Sequence, residues 1–194
     1  MLAIKYKKVA VGGTFDQLHK GHIALIEKAL EIGNHVDIGL TTDEMVKVNP
    51  KDHPVAKFDD RRLNLLKFLF VSNAIKRVNI VPISDSYGSA IDDKKLDALV
   101  VSHNTLYRGK EINEIRDKKG LRPLKLVIID DVLAEDGLPI SSTRIRRCII
   151  DKDGHLIQFR KRALYKSKIQ KNYVQAFRTI YSKTFSILIY FHYD

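Results

Sequence analysis

Two histidines stand three residues apart, directly after a glycine-rich segment near the start of the chain. The segment reads Gly13-Thr14-Phe15-Asp16-Gln17-Leu18-His19-Lys20-Gly21-His22. A buried-strand pattern precedes it and a helical pattern follows it, so backbone N–H groups and the positive end of the helix would face an anion. Both imidazoles can donate to one phosphate and stabilise the charge that builds as pyrophosphate leaves. The segment therefore predicts a nucleotide-phosphate site.

The other residues of this segment support the same chemistry. Thr14 can donate its hydroxyl to a phosphate, and the missing side chain of Gly21 lets a base or a phosphate approach the backbone closely. A zinc site is the competing interpretation of the two histidines. It is weaker, because the chain has a single cysteine, Cys148, and no nearby Glu-rich helix to complete a ligand shell.

A second group of phosphate-binding residue types lies near the end of the apolar core sequence, at Ile140-Ser141-Ser142-Thr143-Arg144-Ile145-Arg146-Arg147. Hydroxyl groups at a helix start can hold a phosphate while an arginine neutralises it. Ordinary capping of a helix by Ser141 or Ser142 explains the serines equally well when this segment is taken alone. Together with the first segment, the phosphate interpretation is favoured.

Short apolar runs alternate with helix-period segments along the first 158 residues. This alternation predicts an α/β fold, a doubly wound parallel sheet of Rossmann-like type, whose ligand site lies at the carboxyl ends of the strands. The predicted strands are residues 8–12, 36–40, 78–81, 99–101 and 124–129. The predicted helices are residues 22–32, a short helix opened by Thr41 and Glu44, one capped by Asp59 or Asp60 with Leu63, Leu66 and Phe70 facing inward, residues 111–119, and a basic helix after Ser141 or Ser142.

Charge divides the chain into two regions. Residues 159–194 contain eight Lys or Arg against one Asp, and so carry most of the net charge of +11, together with nine of the sixteen Phe and Tyr residues that the chain contains. We therefore predict a catalytic domain at 1–158 and a basic, aromatic C-terminal extension of unknown role at 159–194. The single cysteine, the absence of an apolar leader and the lack of a membrane-length apolar run predict a cytoplasmic protein without membrane contact.

The two phosphate-binding segments resemble those of the HxGH superfamily of nucleotidyltransferases, and the intervening chain narrows this resemblance. The chain looks like the archaeal-type phosphopantetheine adenylyltransferases and is similar to the corresponding domain of eukaryotic CoA synthase over about residues 5–158. The segments that carry the resemblance are Val9 to His19, Gly39-Leu-Thr-Thr-Asp-Glu-Met-Val46, Ile112-Asn-Glu-Ile-Arg-Asp-Lys-Lys-Gly-Leu121 and Ile140 to Arg147.

This resemblance implies that Mg-ATP and 4′-phosphopantetheine react to give dephospho-CoA and pyrophosphate, without a covalent intermediate on the protein. It implies a transition-state role for His22, phosphate contacts for His19 and Thr14, and an acceptor-phosphate contact for Lys47, which can equally be a solvated lysine. Asp16 is expected to hold the loop through backbone N–H groups. The nucleotide cradle implied by the resemblance consists of Gly13, Phe15 and Gly21, with the triphosphate held from the other side by Ser141, Ser142, Thr143 and Arg144.

The sequence departs from the family pattern at two places. Val101-Ser102-His103-Asn104-Thr105 stands where a Ser-Glu-Glu-Thr-like segment is expected, so an acidic contact of the substrate site is expected to be lost there. Cys148 stands where glycine is expected.

Three alternatives stay open at this stage. Two are enzymes with a similar first segment, namely an FMN adenylyltransferase and a cytidylyltransferase acting on glycerol phosphate. The latter should have Arg-Thr before its second motif, which Gly137-Leu-Pro-Ile-Ser-Ser-Thr143 lacks. The third is a basic nucleic-acid-binding protein, but the core has no RNA-binding signature, so no nucleic-acid partner is expected for it. A homo-oligomer is left open.

Overall fold

Five parallel strands form a single sheet in the computed structural model, which describes residues 5–51 and 53–157. The sheet has the strand order β3-β2-β1-β4-β5. Its strands are β1 (Tyr6–Gly13), β2 (Gly33–Thr41), β3 (Val78–Ile83), β4 (Ala98–Ser102) and β5 (Lys125–Ile129). The helices are α1 (Lys20–Ile32), α2 (Asp43–Val48), α3 (Phe58–Val71), α4 (Leu106–Lys118) and α5 (Ser142–Arg146). The predicted Rossmann-like α/β fold is confirmed.

The two faces of the sheet are covered by different helices because side chains alternate between the faces along each strand. One face packs against α1 and α3, and its buried core includes Val9, Val11, Ile26, Ile38, Leu65 and Leu69. The other face packs against α4, and its buried core includes Leu99, Val101 and Ile112. Ala98 and Leu99, which are neighbours in β4, therefore belong to different core clusters, as the alternation requires.

The strand order places a crevice at the carboxyl end of β1. This strand lies between β2 and β4, and Val11 pairs with Ile38 on one side and with Val100 on the other. The chain leaves β1 for α1 on one face and leaves β4 for α4 on the opposite face, so the two connections diverge. Ligands of open parallel sheets bind at such a point. The segment that begins at Gly13 starts at this crevice.

The prediction for α3 was wrong in both its inward face and its cap. Leu63 is 50% exposed and Phe70 is 74% exposed, while Arg61, Leu65 and Leu69 are buried. The helix begins at Phe58, whose N–H group donates to Asp43 Oδ1 at 2.8 Å, so a residue of α2 caps it rather than Asp59 or Asp60. The sequence places apolar residues on two stripes of this helix. The stripe that is buried is the one that contains Arg61, Leu65 and Leu69.

Three further helix starts differ from the prediction. The helix predicted at 22–32 already begins at Lys20, because its N-cap is His19. Thr42, not Thr41, caps α2 by accepting from the Met45 N–H group at 3.2 Å, because Thr41 is buried at the end of β2. The helix predicted at 111–119 already begins at Leu106. The cap of α5 is Ser141, whose hydroxyl oxygen accepts from the Arg144 N–H group, as predicted.

Cys148 has a left-handed backbone, which explains why glycine was expected at this position. Its φ is 53°, and it follows the C-cap Arg147 of α5. The N–H of Cys148 donates to Ile145 O at 2.9 Å, and the N–H of Ile149 donates to Arg144 O at 3.0 Å. This pair of hydrogen bonds is the helix ending in which glycine is preferred. The chain keeps this turn although it has cysteine at the position where glycine was expected.

The predicted C-terminal extension, residues 159–194, lies outside the residues that the structure describes, and so does Gln158 at the end of the predicted catalytic domain. Within residues 5–51 and 53–157, no helix is long and apolar enough to cross a membrane.

Candidate active site

The segment after β1 forms a tight loop whose backbone is strained at two residues. Phe15 and Gln17 both have a φ of 49°, which residues other than glycine rarely adopt. The Phe15 side chain is buried, with 1% of its surface exposed, and its ring lies 5.2 Å from the ring of His22 between centroids. Strain of this kind persists only where surrounding contacts hold the chain, and it concentrates at functional sites.

The two histidines stack on each other at the start of α1. Their ring centroids are 3.8 Å apart. His19 is the N-cap of the helix, and its Nδ1 accepts a hydrogen bond from the His22 N–H group at 3.4 Å. An imidazole that accepts at Nδ1 carries its proton on Nε2 when it is neutral. This arrangement leaves the Nε2–H group of His19 as the donor available to a ligand.

Gly21 makes room for this stack. A Cβ atom at Gly21 would lie 3.1 Å from His19 Cε1 and 3.2 Å from His19 Nδ1, closer than side-chain carbons normally approach. A larger residue there would displace the imidazole of His19. Gly21, which was predicted to let a ligand approach the backbone, thus also makes room for the imidazole of His19.

Both histidines are uncharged at neutral pH. Burial, together with a smaller effect of the neighbouring His19, lowers the pKa of His22 from 6.5 to about 3. Burial also lowers the pKa of His19, to about 4, with a contribution from Lys152. The nearby carboxylate of Asp16 opposes both shifts without reversing them. The two residues therefore act as neutral hydrogen-bond donors rather than as cations.

These shifts predict how stability depends on pH. Below about pH 6.5 the unfolded chain protonates both histidines, whereas the folded protein keeps them neutral down to about pH 4 for His19 and about pH 3 for His22. The free energy of unfolding should therefore decrease as the pH falls from 6.5 towards 4. Urea unfolding at several pH values should show a weaker dependence for His22→Ala than for the unmodified protein. The same dependence in both would contradict the shift, and His35→Ala, at an exposed position, is the control.

Asp16 joins the loop to the second phosphate-binding segment. Only 2% of its surface is exposed. Its carboxylate accepts from Arg146 Nη2 at 2.8 Å, from Arg146 Nε at 3.1 Å and from the Ala56 N–H group at 3.1 Å. Burial raises the pKa of Asp16, but these hydrogen bonds outweigh it, so the pKa lies below its ordinary value. The predicted backbone contact exists, and the principal partner is an arginine.

The serine and threonine residues of the second segment lie beside the loop. The Ser142 hydroxyl donates to Asp16 O at 2.5 Å, and Ser141 caps α5. Arg144 is turned away from the loop, because it donates to Leu138 O at 3.1 Å and to Pro139 O at 3.0 Å and pairs with Asp136. Arg146, two residues further along α5, instead directs its guanidinium to Asp16 of the loop. Thr143 lines a cavity beside Thr14.

Three cavities meet at the loop. The nucleotide cavity, of about 300 Å³, is the one that holds both histidines. Its other lining residues include Gly13, Phe15, Gly21, Ser102, Asn104, Asp130, Asp131, Ile140, Ser141 and Ser142. The acidic residues that line this cavity are Asp130 and Asp131, directly after β5. The 101–105 segment, in which an acidic contact was expected to be lost, contributes Ser102, Asn104 and Thr105.

The acceptor cavity, of about 260 Å³, lies on the face of the sheet that packs against α4. It shares Gly12, Gly13 and Thr105 with the nucleotide cavity. Its other lining residues include Thr14, Asp37, Gly39, Met45, Val81, Ile83, Tyr87, Leu99 and Arg108. Most of these residues are apolar or small, so the cavity suits a largely apolar ligand, and Thr14 places a hydroxyl group in its lining.

The third cavity, of about 200 Å³, is bordered by hydroxyl groups and basic side chains. Thr14, Ser142 and Thr143 line it together with Lys51 and His53. Neither Lys51 nor His53 was singled out from the sequence, because they lie in a polar loop with no periodic pattern. Lys47, which was, is exposed on α2 and lines none of the three cavities. The fold instead places Lys51 in the lining of the third cavity, with Thr14 of the loop.

The zinc interpretation gains no further ligands from the fold. Among the described residues, the one group of three or more His, Cys, Asp or Glu side chains at metal-ligand spacing is Asp151, Asp153 and His155. Neither His19 nor His22 belongs to it. The two imidazoles instead face a cavity lined with hydroxyl groups and backbone.

A parallel sheet with this strand order, a strained loop with two neutral histidines after β1 and hydroxyl groups opposite them define a protein of the nucleotidyltransferase type. The chain belongs to the cytidylyltransferase-like family, whose sequence model matches residues 10–148.

The relatives of this chain indicate which members of this family it resembles. It is 46% identical over 142 residues to a phosphopantetheine adenylyltransferase of Methanopyrus kandleri, covering 73% of this chain and 90% of that protein. It is 44% identical over 154 residues to that of Pyrococcus furiosus, covering 79% and 96%. A solved structure of a protein of unknown function from Archaeoglobus fulgidus superposes with a TM-score of 0.58 at 34% identity, covering 63% of this chain and 89% of that one. The resemblance to archaeal-type phosphopantetheine adenylyltransferases is confirmed.

Proposed function

We propose that this protein is a pantetheine-phosphate adenylyltransferase, which transfers the adenylyl group of ATP to 4′-phosphopantetheine and releases pyrophosphate. The observation that carries the proposal is the meeting of two cavities at Gly12 and Gly13. One contains the two histidines and the serines of the second segment, and the other is largely apolar and has Thr14 in its lining. The names of the two curated relatives described above support the same acceptor.

Each substrate has a cavity of suitable chemistry. We assign ATP to the nucleotide cavity and the pantetheine arm to the acceptor cavity, so that the acceptor phosphate lies at Thr14. An oxygen of this phosphate then attacks the α-phosphorus of ATP. A new O–P bond forms at the α-phosphorus, the bond to the bridging oxygen of the β-phosphate breaks, and pyrophosphate leaves with the electron pair. The nucleophile is already an anion, so the protein has no proton to remove.

The residues around the loop would act by positioning and by neutralising charge. In this proposal the neutral imidazoles of His22 and His19 donate to phosphate oxygens, and the effect is largest where charge develops in the transition state. Thr14, Ser142 and Thr143 add hydroxyl donors, and Lys51 supplies positive charge near the leaving group. Arg144 and Lys47, expected from the family resemblance to bind phosphates, would contribute at longer range from their places in this structure.

Magnesium enters this scheme as part of the Mg-ATP substrate. The carboxylate nearest the histidines belongs to Asp16, and Arg146 and Ala56 already occupy it. Asp130 and Asp131 also line the nucleotide cavity, but the group of three or more possible ligand side chains found among the described residues, Asp151, Asp153 and His155, does not include them. In this proposal the phosphates of ATP would therefore be the principal ligands.

The proposal is tested by measuring pyrophosphate release from purified protein with three substrate pairs. These are Mg-ATP with 4′-phosphopantetheine, Mg-ATP with FMN, and Mg-CTP with glycerol phosphate. We expect release with the first pair and formation of dephospho-CoA. Release with either other pair and none with 4′-phosphopantetheine would refute the assignment of the acceptor.

A larger side chain at Gly39, which lines the acceptor cavity, tests whether this cavity binds the pantetheine arm. A Cβ at Gly39 would lie 3.4 Å from the Ile83 side chain, an ordinary contact, so the first side-chain atom is accommodated there. The two methyl groups of valine would then take space in the acceptor cavity, which Gly39 and Ile83 both line. Gly39→Val should raise the KM for 4′-phosphopantetheine about tenfold, since it takes space from the arm, and should leave the KM for ATP within about twofold. The matched control is His35→Val, at an exposed position in the same strand. An unchanged acceptor KM in folded Gly39→Val would place the arm elsewhere.

Cytoplasmic location and the possibility of a homo-oligomer stay predictions from the sequence. The role of residues 159–194 can be tested by a chain that ends at Gln158. We expect its kcat and both KM values to match those of the full chain.

A further inference from the structure

Arg61 is a buried charged residue next to the loop, and sequence analysis gave it no role. Only 1% of its surface is exposed, and it lies on the inward stripe of α3 with Leu65 and Leu69. Burial of a guanidinium requires partners for its N–H groups, because an unpaired buried charge is costly. The identity of those partners shows what the residue does.

The guanidinium of Arg61 joins four separate segments around the crevice. Its Nη1 donates to Thr14 O at 2.9 Å and to Thr41 O at 2.8 Å, with a longer contact to Thr41 Oγ1 at 3.2 Å. Its Nε donates to Ala56 O at 2.8 Å, and its Nη2 pairs with Asp43 Oδ1 at 3.0 Å. Thr14 belongs to the loop, Thr41 ends β2, Asp43 begins α2 and Ala56 precedes α3.

The contact with Thr14 acts on the strained part of the loop. Thr14 O belongs to the peptide bond that precedes Phe15, the residue with a φ of 49°. The ring of Phe15 in turn packs beside His22. A hydrogen bond that fixes the orientation of this peptide therefore restrains both the ring and the histidine next to it.

The same guanidinium also reaches the acceptor side. Thr41 lines the acceptor cavity, and so does Met45 of α2, the helix that begins at Asp43. Ala56 links this network to the other clamp of the loop, because its N–H group donates to Asp16 while its carbonyl accepts from Arg61. Arg61 thus contacts the nucleotide loop and the acceptor wall at once.

We propose that Arg61 is a positioning residue for adenylyl transfer, which holds the Thr14–Phe15 peptide and fixes the nucleotide loop relative to α2 at the acceptor cavity. This inference rests on the proposed function. Most of its partners are neutral carbonyl oxygens, and its one carboxylate partner, Asp43, has a side chain that is 39% exposed. A buried charge with so little compensation is a poor source of stability. Its planar set of donors is instead suited to fixing several segments in one geometry.

The test compares the same substitution at two arginines. Arg61→Lys keeps the charge but cannot reach all four segments. Arg77→Lys is the matched control, because Arg77 Nη2 also donates to two backbone carbonyls, Leu30 O at 2.6 Å and Gly33 O at 2.9 Å, at the other end of β2. Asp43→Ala is a milder second variant, in case Arg61→Lys does not fold. Each variant is assayed below its melting temperature with 4′-phosphopantetheine and Mg-ATP.

We expect kcat to fall about 30-fold in Arg61→Lys and about fivefold in Asp43→Ala, because misplacement of the loop affects the reacting geometry. The KM for ATP should change less than threefold in both. Arg77→Lys should lower the melting temperature with kcat within twofold of the unmodified protein. The proposal would be overturned if both Arg61→Lys and Asp43→Ala kept kcat within twofold of the unmodified protein and only their melting temperatures fell. That result would show that Arg61 has a structural role.

A second readout does not depend on turnover. The ring C–H resonances of His19 and His22, assigned with His22→Ala, should shift or broaden in Arg61→Lys and in Asp43→Ala but not in Arg77→Lys. If the unmodified protein failed to use 4′-phosphopantetheine, the proposed function would fail, and these resonances would still test the positioning role. Unperturbed resonances in both network variants would overturn that role whatever the substrate.

Discussion

Replacing His22 by alanine should lower kcat by about 10² to 10³-fold, the usual effect of removing one preorganised donor from a developing negative charge. His22 lines both the nucleotide cavity and the third cavity, so it lies where the triphosphate would pass from one to the other. Its imidazole is neutral because burial and His19 lower its pKa. A neutral donor binds the ground state of ATP less strongly than a cation would, so its loss should affect kcat more than the KM for ATP.

The fold should tolerate this change. His22 Nδ1 is buried and has no hydrogen-bond partner among the described residues, so alanine breaks no hydrogen bond of this atom and loses mainly the ring contacts with His19 and Phe15. His22→Asn retains an N–H donor and should recover part of the activity. His35→Ala is the control for a histidine outside the site. The measurements are kcat, the KM for ATP and the urea midpoint of each variant; near-normal kcat in a folded His22→Ala protein would remove His22 from the proposed role.

His19 should be harder to interpret than His22, because it has two tasks. Its Nδ1 caps α1, and loss of a helix cap costs about 1 kcal/mol. Its ring also supports the ring of His22 through the stack. A decrease in activity of His19→Ala would therefore combine a lost donor, a frayed helix start and a displaced neighbour, whereas His22→Ala removes mainly the donor.

The sheet was predictable because its strands are short apolar runs bounded by turn residues. All five predicted strands exist. The first four are two to four residues longer in the structure than predicted, whereas β5 is one residue shorter, because Leu124 precedes the strand. The loop was predictable because Gly13 to His22 combines several residue types in one order. Its location at the crevice followed from the general rule for parallel sheets.

The face of α3 was not predictable from its apolar pattern. Leu63, Leu66 and Phe70 follow helical spacing as well as Leu65 and Leu69 do, so periodicity alone does not choose between the stripes. The choice depends on Arg61, whose acceptors Thr14 and Thr41 lie 47 and 20 residues away in the sequence. A local pattern contains no information about acceptors that the sheet brings together.

The same reason explains why Arg144 was chosen over Arg146. The two side chains stand two residues apart on α5, which directs them to opposite sides of a helix, about 200° apart. Arg144 turns to Asp136 and the turn before the helix, and Arg146 turns to Asp16, 130 residues away. The sequence predicted a basic helix at this position, and only the tertiary partner distinguishes its two sides.

Replacing Asp16 by asparagine should lower both stability and activity, because its carboxylate holds the loop to Arg146 and to Ala56. Asparagine can still accept one hydrogen bond but leaves the guanidinium of Arg146 without its counter-charge. Breaking a buried ion pair on one side costs about 3 kcal/mol or more. The loop should then shift relative to the serines of α5, and we expect kcat to fall about 10²-fold.

The pH dependence of this loss identifies its cause. The pKa of Asp16 is lowered in the folded protein, so its contribution to stability is complete above the ordinary pKa of a carboxyl, about 3.9, and disappears as the pH falls through the folded value. The difference in unfolding free energy between the unmodified protein and Asp16→Asn should be constant from about pH 5 to pH 8. It should shrink below about pH 4.

A double-mutant cycle with Arg146→Gln separates the ion pair from the other contacts of Asp16. If the pair carries most of the effect, Asp16→Asn should cost much less when Arg146 is already glutamine, because no unpaired guanidinium is left beside the loop. The control cycle uses Arg147→Gln, at the exposed C-cap of α5, where the two changes should be additive. Equal losses of stability and of kcat from Asp16→Asn in the unmodified protein and in Arg146→Gln would show that the Asp16 carboxylate holds the loop through Ala56 instead of through Arg146.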